Sequence, residues 1–156
     1  SGVTNGEERL LIPGVAALQY VSSPEHRLLG KDLDPVVGPN IGRYGHNLTI
    51  SCLSCNRSHL TLRLLESLER RVPFFKGEFL VVDNGSAPAE LERLEAAAAK
   101  SPLRVRIVRL GENFGVGGGR NRTMPHLTTE WVLFLDNDIY LTGDPFLQIQ
   151  EAIATL

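Results

Sequence analysis

The chain lacks the features that would fix its class at a glance. It carries two cysteines in 156 residues, too few for a disulfide framework. No apolar run approaches the roughly 20 residues of a membrane-spanning helix. The basic residues are scattered rather than clustered, and the net charge is −2. Bulk charge therefore gives no reason to expect a nucleic acid or other polyanion as partner. No internal repeat or low-complexity tract is present. The short apolar stretch Val15–Val21 follows Glu7 and Glu8 and lacks the basic opening of a secretory signal. The expected location is the cytoplasm, with membrane association left open for a longer, intact protein.

Cys52 and Cys55 form a C-x-x-C spacing. A structural zinc site needs two further ligands, and His26, His46, His59 and His126 offer no matching pair. A redox pair wants its second cysteine at a helix start, but Asn56-Arg57-Ser58 intervenes. Two small apolar residues near a strand end is the preferred reading. Four N-x-S/T sequons, at Asn47, Asn56, Asn84 and Asn121, are read as coincidence without a secretory signal.

Two regions differ in texture. Residues 1–46 are punctuated by Pro13-Gly14, Pro24, Gly30, Pro35, Gly38-Pro39, Gly42 and Gly45, too often for long regular elements. They are expected to form an extended arm against the main body, with Val15–Val21 as an edge strand. From residue 47 the pattern is regular. Strands are predicted at Leu48–Ser54, Glu78–Asp83, Arg104–Leu110 and Trp131–Leu135. Ser58 and Ser86 are expected to cap the first two intervening helices, with Pro88 in the first turn of the second. Leu60, Leu64, Leu65 and Leu68 share one helix face. Gly115–Pro125 is expected as a short helix or turn, and a last helix starts at Asp144 or Pro145. Alternating arginines mark the third strand as an edge with one solvated face. The unbroken WVLFL run marks the fourth as central. This β-α alternation implies an α/β fold: a parallel sheet with helices on both faces. Ligands of such sheets bind beyond the carboxyl ends of the strands, where strand order reverses.

Polar groups follow three of the strands. Asp136-Asn137-Asp138 puts two carboxylates after the most buried strand. Carboxylate oxygens suit Mg²⁺ or Mn²⁺, which can take further ligands from substrate phosphates. Asp83, in Asp83-Asn84-Gly85-Ser86, can accept from a ribose hydroxyl or a base N–H, although these residue types also make ordinary turns. Ser54-Cys55-Asn56-Arg57 follows the first strand. The segment Gly111–Asn121 is glycine-rich but fails as a dinucleotide fingerprint, because Arg120 stands where the last glycine or alanine should be. Its glycines let backbone approach a ligand, and Arg120 is a candidate phosphate partner.

The segments TISCLSCNR, FLVVDNGS, LGENFGVGGGRNRT and WVLFLDND, in that order and spacing over roughly residues 47–140, resemble family 2 glycosyltransferases of GT-A fold. The resemblance implies a Rossmann-like GT-A nucleotide-diphospho-sugar transferase unit over residues 47–156, truncated at its C-terminal side. It implies that Ser54 and Asn56 border the nucleotide, largely through backbone, and that Asp83 hydrogen-bonds the base. It implies that Asn113, Gly117 and Arg120 line the site. Asp136 would face ribose and phosphate and, with Asp138, the metal, Mn²⁺ or Mg²⁺. A UDP-sugar would be the donor and a saccharide or lipid-linked hydroxyl the acceptor. The family's catalytic base comes from a later segment, so it is expected beyond Leu156. The sheet edge left by a shortened fold makes self-association an expectation.

Two other classes are weighed. A nucleotidyltransferase of similar sheet would need a glycine-rich basic loop after the first strand, and Ser54-Cys55-Asn56-Arg57 has no glycine. A non-catalytic interaction module would fit a natural reading frame that ends near Leu156.

Overall fold

The computed structural model describes residues 9–11, 17–20 and 44–154. In chain order the elements are β1 (Arg9–Leu11), β2 (Ala17–Tyr20), β3 (Leu48–Ser54), α1 (Ser58–Arg71), β4 (Glu78–Asp83), α2 (Pro88–Lys100) and β5 (Val105–Arg109). They continue with α3 (Gly115–Thr123), a 3₁₀ turn (Met124–His126), β6 (Trp131–Asp136) and α4 (Phe146–Ala154). The six strands make one sheet of order β1-β2-β6-β3-β4-β5. β6, β3, β4 and β5 are parallel, and β2 and β1 add antiparallel on the outer side of β6.

That order decides where a ligand can sit. The chain steps outward from β3 to β4 to β5, then returns to lay β6 on the other side of β3. The reversal therefore lies between β3 and β6, and a crevice opens beyond their carboxyl ends. Asp136 ends β6, Ser54 ends β3 and Asp83 ends β4.

Strand alternation divides the core into two layers. Leu48, Ile50 and Cys52 of β3, Phe79 and Val81 of β4, and Trp131, Leu133 and Leu135 of β6 face one side. There they pack with Leu64, Leu65 and Leu68 of α1, Leu94 of α2, and Phe146 and Ile149 of α4. Leu80, Val82, Val132 and Phe134 face the other side, against Leu127 and Met124 near the 3₁₀ turn. Helical structure thus covers both faces, and burial of these side chains is the main stabilising term. On the second face β3 turns Thr49 into the interior. Its hydroxyl pairs with that of Thr129 at 2.7 Å, so the buried polar group is satisfied.

The structure departs from these expectations in three places. Ser58 is the first helical residue rather than the cap, and its N–H donates to Glu90 Oε2 of α2 at 2.9 Å. Ser86 does not cap α2 either. Ala87 holds that position, and the Ser86 hydroxyl accepts from Asn56 N at 2.9 Å. The edge strand β5 is less solvated than its arginines suggest. Arg106 donates from Nη2 to Glu78 Oε1 at 2.7 Å and to the His126 carbonyl at 2.5 Å.

The arm contributes an edge strand, as expected, at Ala17–Tyr20, and a second strand at Arg9–Leu11 that its composition did not announce. The rest of residues 1–43 lies outside the described residues. Among the described residues no helix is long and apolar enough to cross a membrane.

Candidate functional site

The site begins at the end of β4. Asp83 is 2% exposed. Its Oδ2 accepts from Ser86 N at 3.3 Å. Its Oδ1 is buried and has no hydrogen-bond partner among the described residues. An acceptor left unsatisfied in the interior costs about 1–3 kcal/mol, so it demands an explanation other than folding. Gly85 follows with φ +85, and a Cβ there would lie 2.7 Å from the Glu112 carbonyl carbon. Glycine lets the β4 turn and the segment after β5 touch backbone to backbone.

Asn84 joins those two segments. It is 3% exposed. Its Nδ2 donates to Asn113 Oδ1 at 3.1 Å and to the Gly115 carbonyl at 3.2 Å, while its Oδ1 accepts from Phe114 N at 3.0 Å. Asn113 Oδ1 also accepts from Gly115 N at 2.8 Å. The amide of one buried residue thus fixes the entry into α3. In the sequence, Asn84 reads only as part of an Asp-Asn-Gly turn. The signal available was only that its amide follows directly on a candidate ligand.

The β3 loop is tied to the same place. Asn56 adopts a left-handed φ of 52. Its N–H reaches Ser86 Oγ, and its Oδ1 accepts from Ala87 N at 2.6 Å. The Asn56 side chain therefore caps α2 from another loop. Ser54 sits at the site only through backbone: its hydroxyl pairs with Thr61 Oγ1 at 2.8 Å, and its carbonyl accepts from Asn84 N at 2.8 Å. Cys52 and Cys55 are free thiols. Burial, the largest influence, pushes the Cys52 thiol up to about 12, so it is neither a thiolate nucleophile nor a ready metal ligand near neutrality.

α3 brings Arg120 to Asp136. The helix lies close on the sheet because Gly119 has no side chain; a Cβ there would meet Leu53 Cδ1 at 2.6 Å. Gly117 is exposed, and a Cβ there would meet nothing within 4 Å. Among the described residues, nothing fills the space around Gly117. Arg120 Nη2 donates to Asp136 Oδ1 at 2.9 Å, and its guanidinium lies 5.5 Å over the Phe134 ring.

Asp136 and Asp138 flank a turn closed by Ile139 N on the Asp136 carbonyl at 3.2 Å. Both side chains are exposed. Among the described residues no three His, Cys, Asp or Glu gather as a metal cage. A Mg²⁺-like ion does not require one, since it is commonly held by one or two carboxylates, substrate phosphates and water. The Asp136 and Asp138 oxygens fit such an ion in type and exposure. Register pairs Leu53 with both Asp136 and Val82, so Asp136 and Asp83 end strands two spacings apart, roughly 10 Å at about 4.8 Å per strand. Of the residues singled out from sequence, Ser54, Asn56, Asp83 and Asn113 form one linked cluster, and Arg120 and Asp136 form a second. Asp138 and Gly117 stand beside them without side-chain partners among the described residues.

Parallel strands with carboxylates at a strand-order reversal define an α/β protein with a polar crevice at that edge, the place where such sheets take ligands. Residues 51–155 match the family Glycosyl transferase family 2, and the chain belongs to that family. Its fold is the Rossmann-like GT-A type of its structural neighbours. The chain is similar to S. aureus TarS (residues 1–349) at 28% identity and TM-score 0.56, covering 68% of this chain and 31% of that one. It is similar to the same TarS region solved with UDP-GlcNAc at 27% identity and TM-score 0.57, covering 68% and 30%. The mannosyltransferase PcManGT of Pyrobaculum calidifontis, solved with GDP-Man and Mn²⁺, shares the fold at 24% identity and TM-score 0.59, covering 83% and 36%. The chain thus spans about a third of the length of these relatives. No curated protein sequence matches it.

Proposed function

We propose that this chain is the donor-binding part of a glycosyltransferase that moves a sugar from a UDP-sugar to an acceptor hydroxyl with the help of Mn²⁺ or Mg²⁺. The observation that carries this reading is Asp83 Oδ1, a buried carboxylate oxygen without a partner among the described residues, at the carboxyl end of β4. A uracil N–H is the kind of donor that would satisfy it. A small shift of the turn held by Gly85 and Ser86 would admit it. Family membership supports sugar transfer, and the TarS structure with UDP-GlcNAc supports a uridine donor.

The roles follow from chemistry. Asp83 binds the base, and the Ser54 and Asn56 backbone borders base and ribose. Asn113 and Gly117 line the path along α3. Arg120 leaves Asp136 to neutralise the diphosphate. Asp136 and Asp138 hold the metal, which when bound stabilises charge on the departing diphosphate. The acceptor hydroxyl attacks the anomeric carbon as the bond to the diphosphate oxygen breaks. The acceptor's proton passes to a base that none of the residues named here supplies, so the chain by itself should bind donor without efficient transfer.

Competition binding tests the base contact. UDP should outcompete CDP and ADP, and Asp83→Ala should level the three affinities. Equal affinity of the unaltered chain for all three would remove Asp83 from this role.

A further inference from the structure

Asp138 is held unusually firmly for an exposed residue in a loop. The turn bond from Ile139 N fixes one side of it. From α1, Arg63 Nη2 donates to the Asp138 carbonyl at 3.1 Å. The same guanidinium lies 4.8 Å over the ring of Tyr140, two residues on. One helical turn further along α1, Ser67 Oγ accepts from Leu141 N at 2.9 Å and donates to the Leu64 carbonyl at 2.7 Å. Ser67 is 8% exposed. Residues 63 and 67 are four apart, so they stand on one face of α1. That face grips the backbone of the loop at two points, on either side of Tyr140. The Asp138 carboxylate makes no hydrogen bond or ion pair among the described residues.

Backbone fixed and carboxylate free is the arrangement a metal ligand needs. Orienting a carboxylate before the ion arrives removes an ordering cost from binding. Packing alone does not account for it, because Arg63 and Tyr140 are both exposed and contribute little buried area. We infer that Arg63, with Ser67, is a positioning residue that orients Asp138 for the divalent ion of the nucleotide complex. Residues that hold metal ligands in place typically change metal affinity by about ten- to a hundredfold when removed. The inference rests on the reading of Asp138 as a metal-holding carboxylate.

The test compares UDP affinity with and without Mn²⁺ by calorimetry, alongside the electron paramagnetic resonance spectrum of Mn²⁺ in the complex. Arg63→Ala should reduce the gain in UDP affinity that Mn²⁺ confers by about tenfold or more. It should leave metal-free UDP affinity unchanged and broaden the Mn²⁺ spectrum. Ser67→Ala should act in the same direction, and Arg63→Lys should restore part of the gain. Arg70→Ala is the control, since Arg70 lines the same open cleft of about 250 Å³ as Arg63 but makes no hydrogen bond to the loop among the described residues. An unchanged Mn²⁺ gain in Arg63→Ala, with that gain lost in Asp138→Ala, overturns the positioning role and leaves the metal reading standing. Equal loss of metal-free and metal-dependent affinity in both Arg63→Ala and Arg63→Lys also overturns it, because that is the signature of a general structural role. If Asp138→Ala keeps the full gain, the metal reading falls first and takes this inference with it.

Discussion

Arg120 and Asp136 neutralise each other across 2.9 Å at the end of the central strand. The Asp136 side chain is 62% exposed and that of Arg120 27%. An ion pair so open to water adds about 0–1 kcal/mol to stability. Its value lies in holding two groups of opposite charge at the place where a diphosphate and its metal would separate them. Arg120→Ala should therefore leave the urea midpoint nearly unchanged. It should weaken UDP binding roughly ten- to a hundredfold, the worth of a charged hydrogen bond. Unchanged UDP affinity would exclude Arg120 from the diphosphate.

Asn84 should behave in the opposite way. Its side chain makes three hydrogen bonds from a nearly sealed position to the segment 113–115. Asn84→Ala should lower unfolding free energy by about 2–4 kcal/mol, read from urea denaturation. It should also weaken UDP binding, because the entry to α3 is no longer fixed. A loss below about 0.5 kcal/mol would mean that water replaces the amide without cost.

The four parallel strands were legible because each is a run of apolar residues bounded by turn formers, and hydrophobic periodicity is a local signal. The central place of β6 followed from WVLFL, whose five residues are all buried. Asp83, Asp136 and Asp138 were legible because each follows a strand. What stayed hidden depends on partners far away in sequence. Ser58 reads as a helix cap, but Glu90 approaches its N–H from 32 residues on. Arg106 reads as a solvated edge residue, yet it meets Glu78 and the His126 carbonyl. Arg63 looks like any exposed helical arginine until the loop after β6 folds back onto it. The β1 strand is three residues long and sits among residues whose composition discourages strands.

The two cysteines should separate cleanly in reactivity. Cys52 is 0% exposed with its thiol pushed up to about 12, while Cys55 is half-buried. Iodoacetamide at about pH 8 should modify Cys55 and spare Cys52 until the chain is unfolded, as read by peptide mass spectrometry. Equal modification of both in the folded protein would contradict the burial of the β3 face.

Acid should loosen the junction of α1 and α2. The Ser58 hydroxyl lying near it and the Ser58 N–H that donates to it, with Arg93 close by, hold the Glu90 carboxyl below the usual carboxylate range. A carboxylate lowered on folding stabilises the native state above its unfolded pKa. That stabilisation is lost as pH falls through the lowered value. Thermal melts should show a decline on acidification below about pH 4.5 that is shallower in Glu90→Gln. The effect should be small because the Glu90 side chain keeps part of its surface in water. An unaltered acid limb in the variant would show that Glu90 does not serve the α1 terminus.

The most direct measurement is calorimetric titration of UDP into the chain with and without Mn²⁺, repeated on Asp138→Asn. Mn²⁺ should tighten UDP binding to the unaltered protein by at least about tenfold. In Asp138→Asn that gain should largely vanish, while the weaker metal-free binding through Asp83 and Arg120 remains. Mn²⁺ tightening UDP equally in both proteins, or UDP failing to bind with the metal present, would contradict the donor site described here.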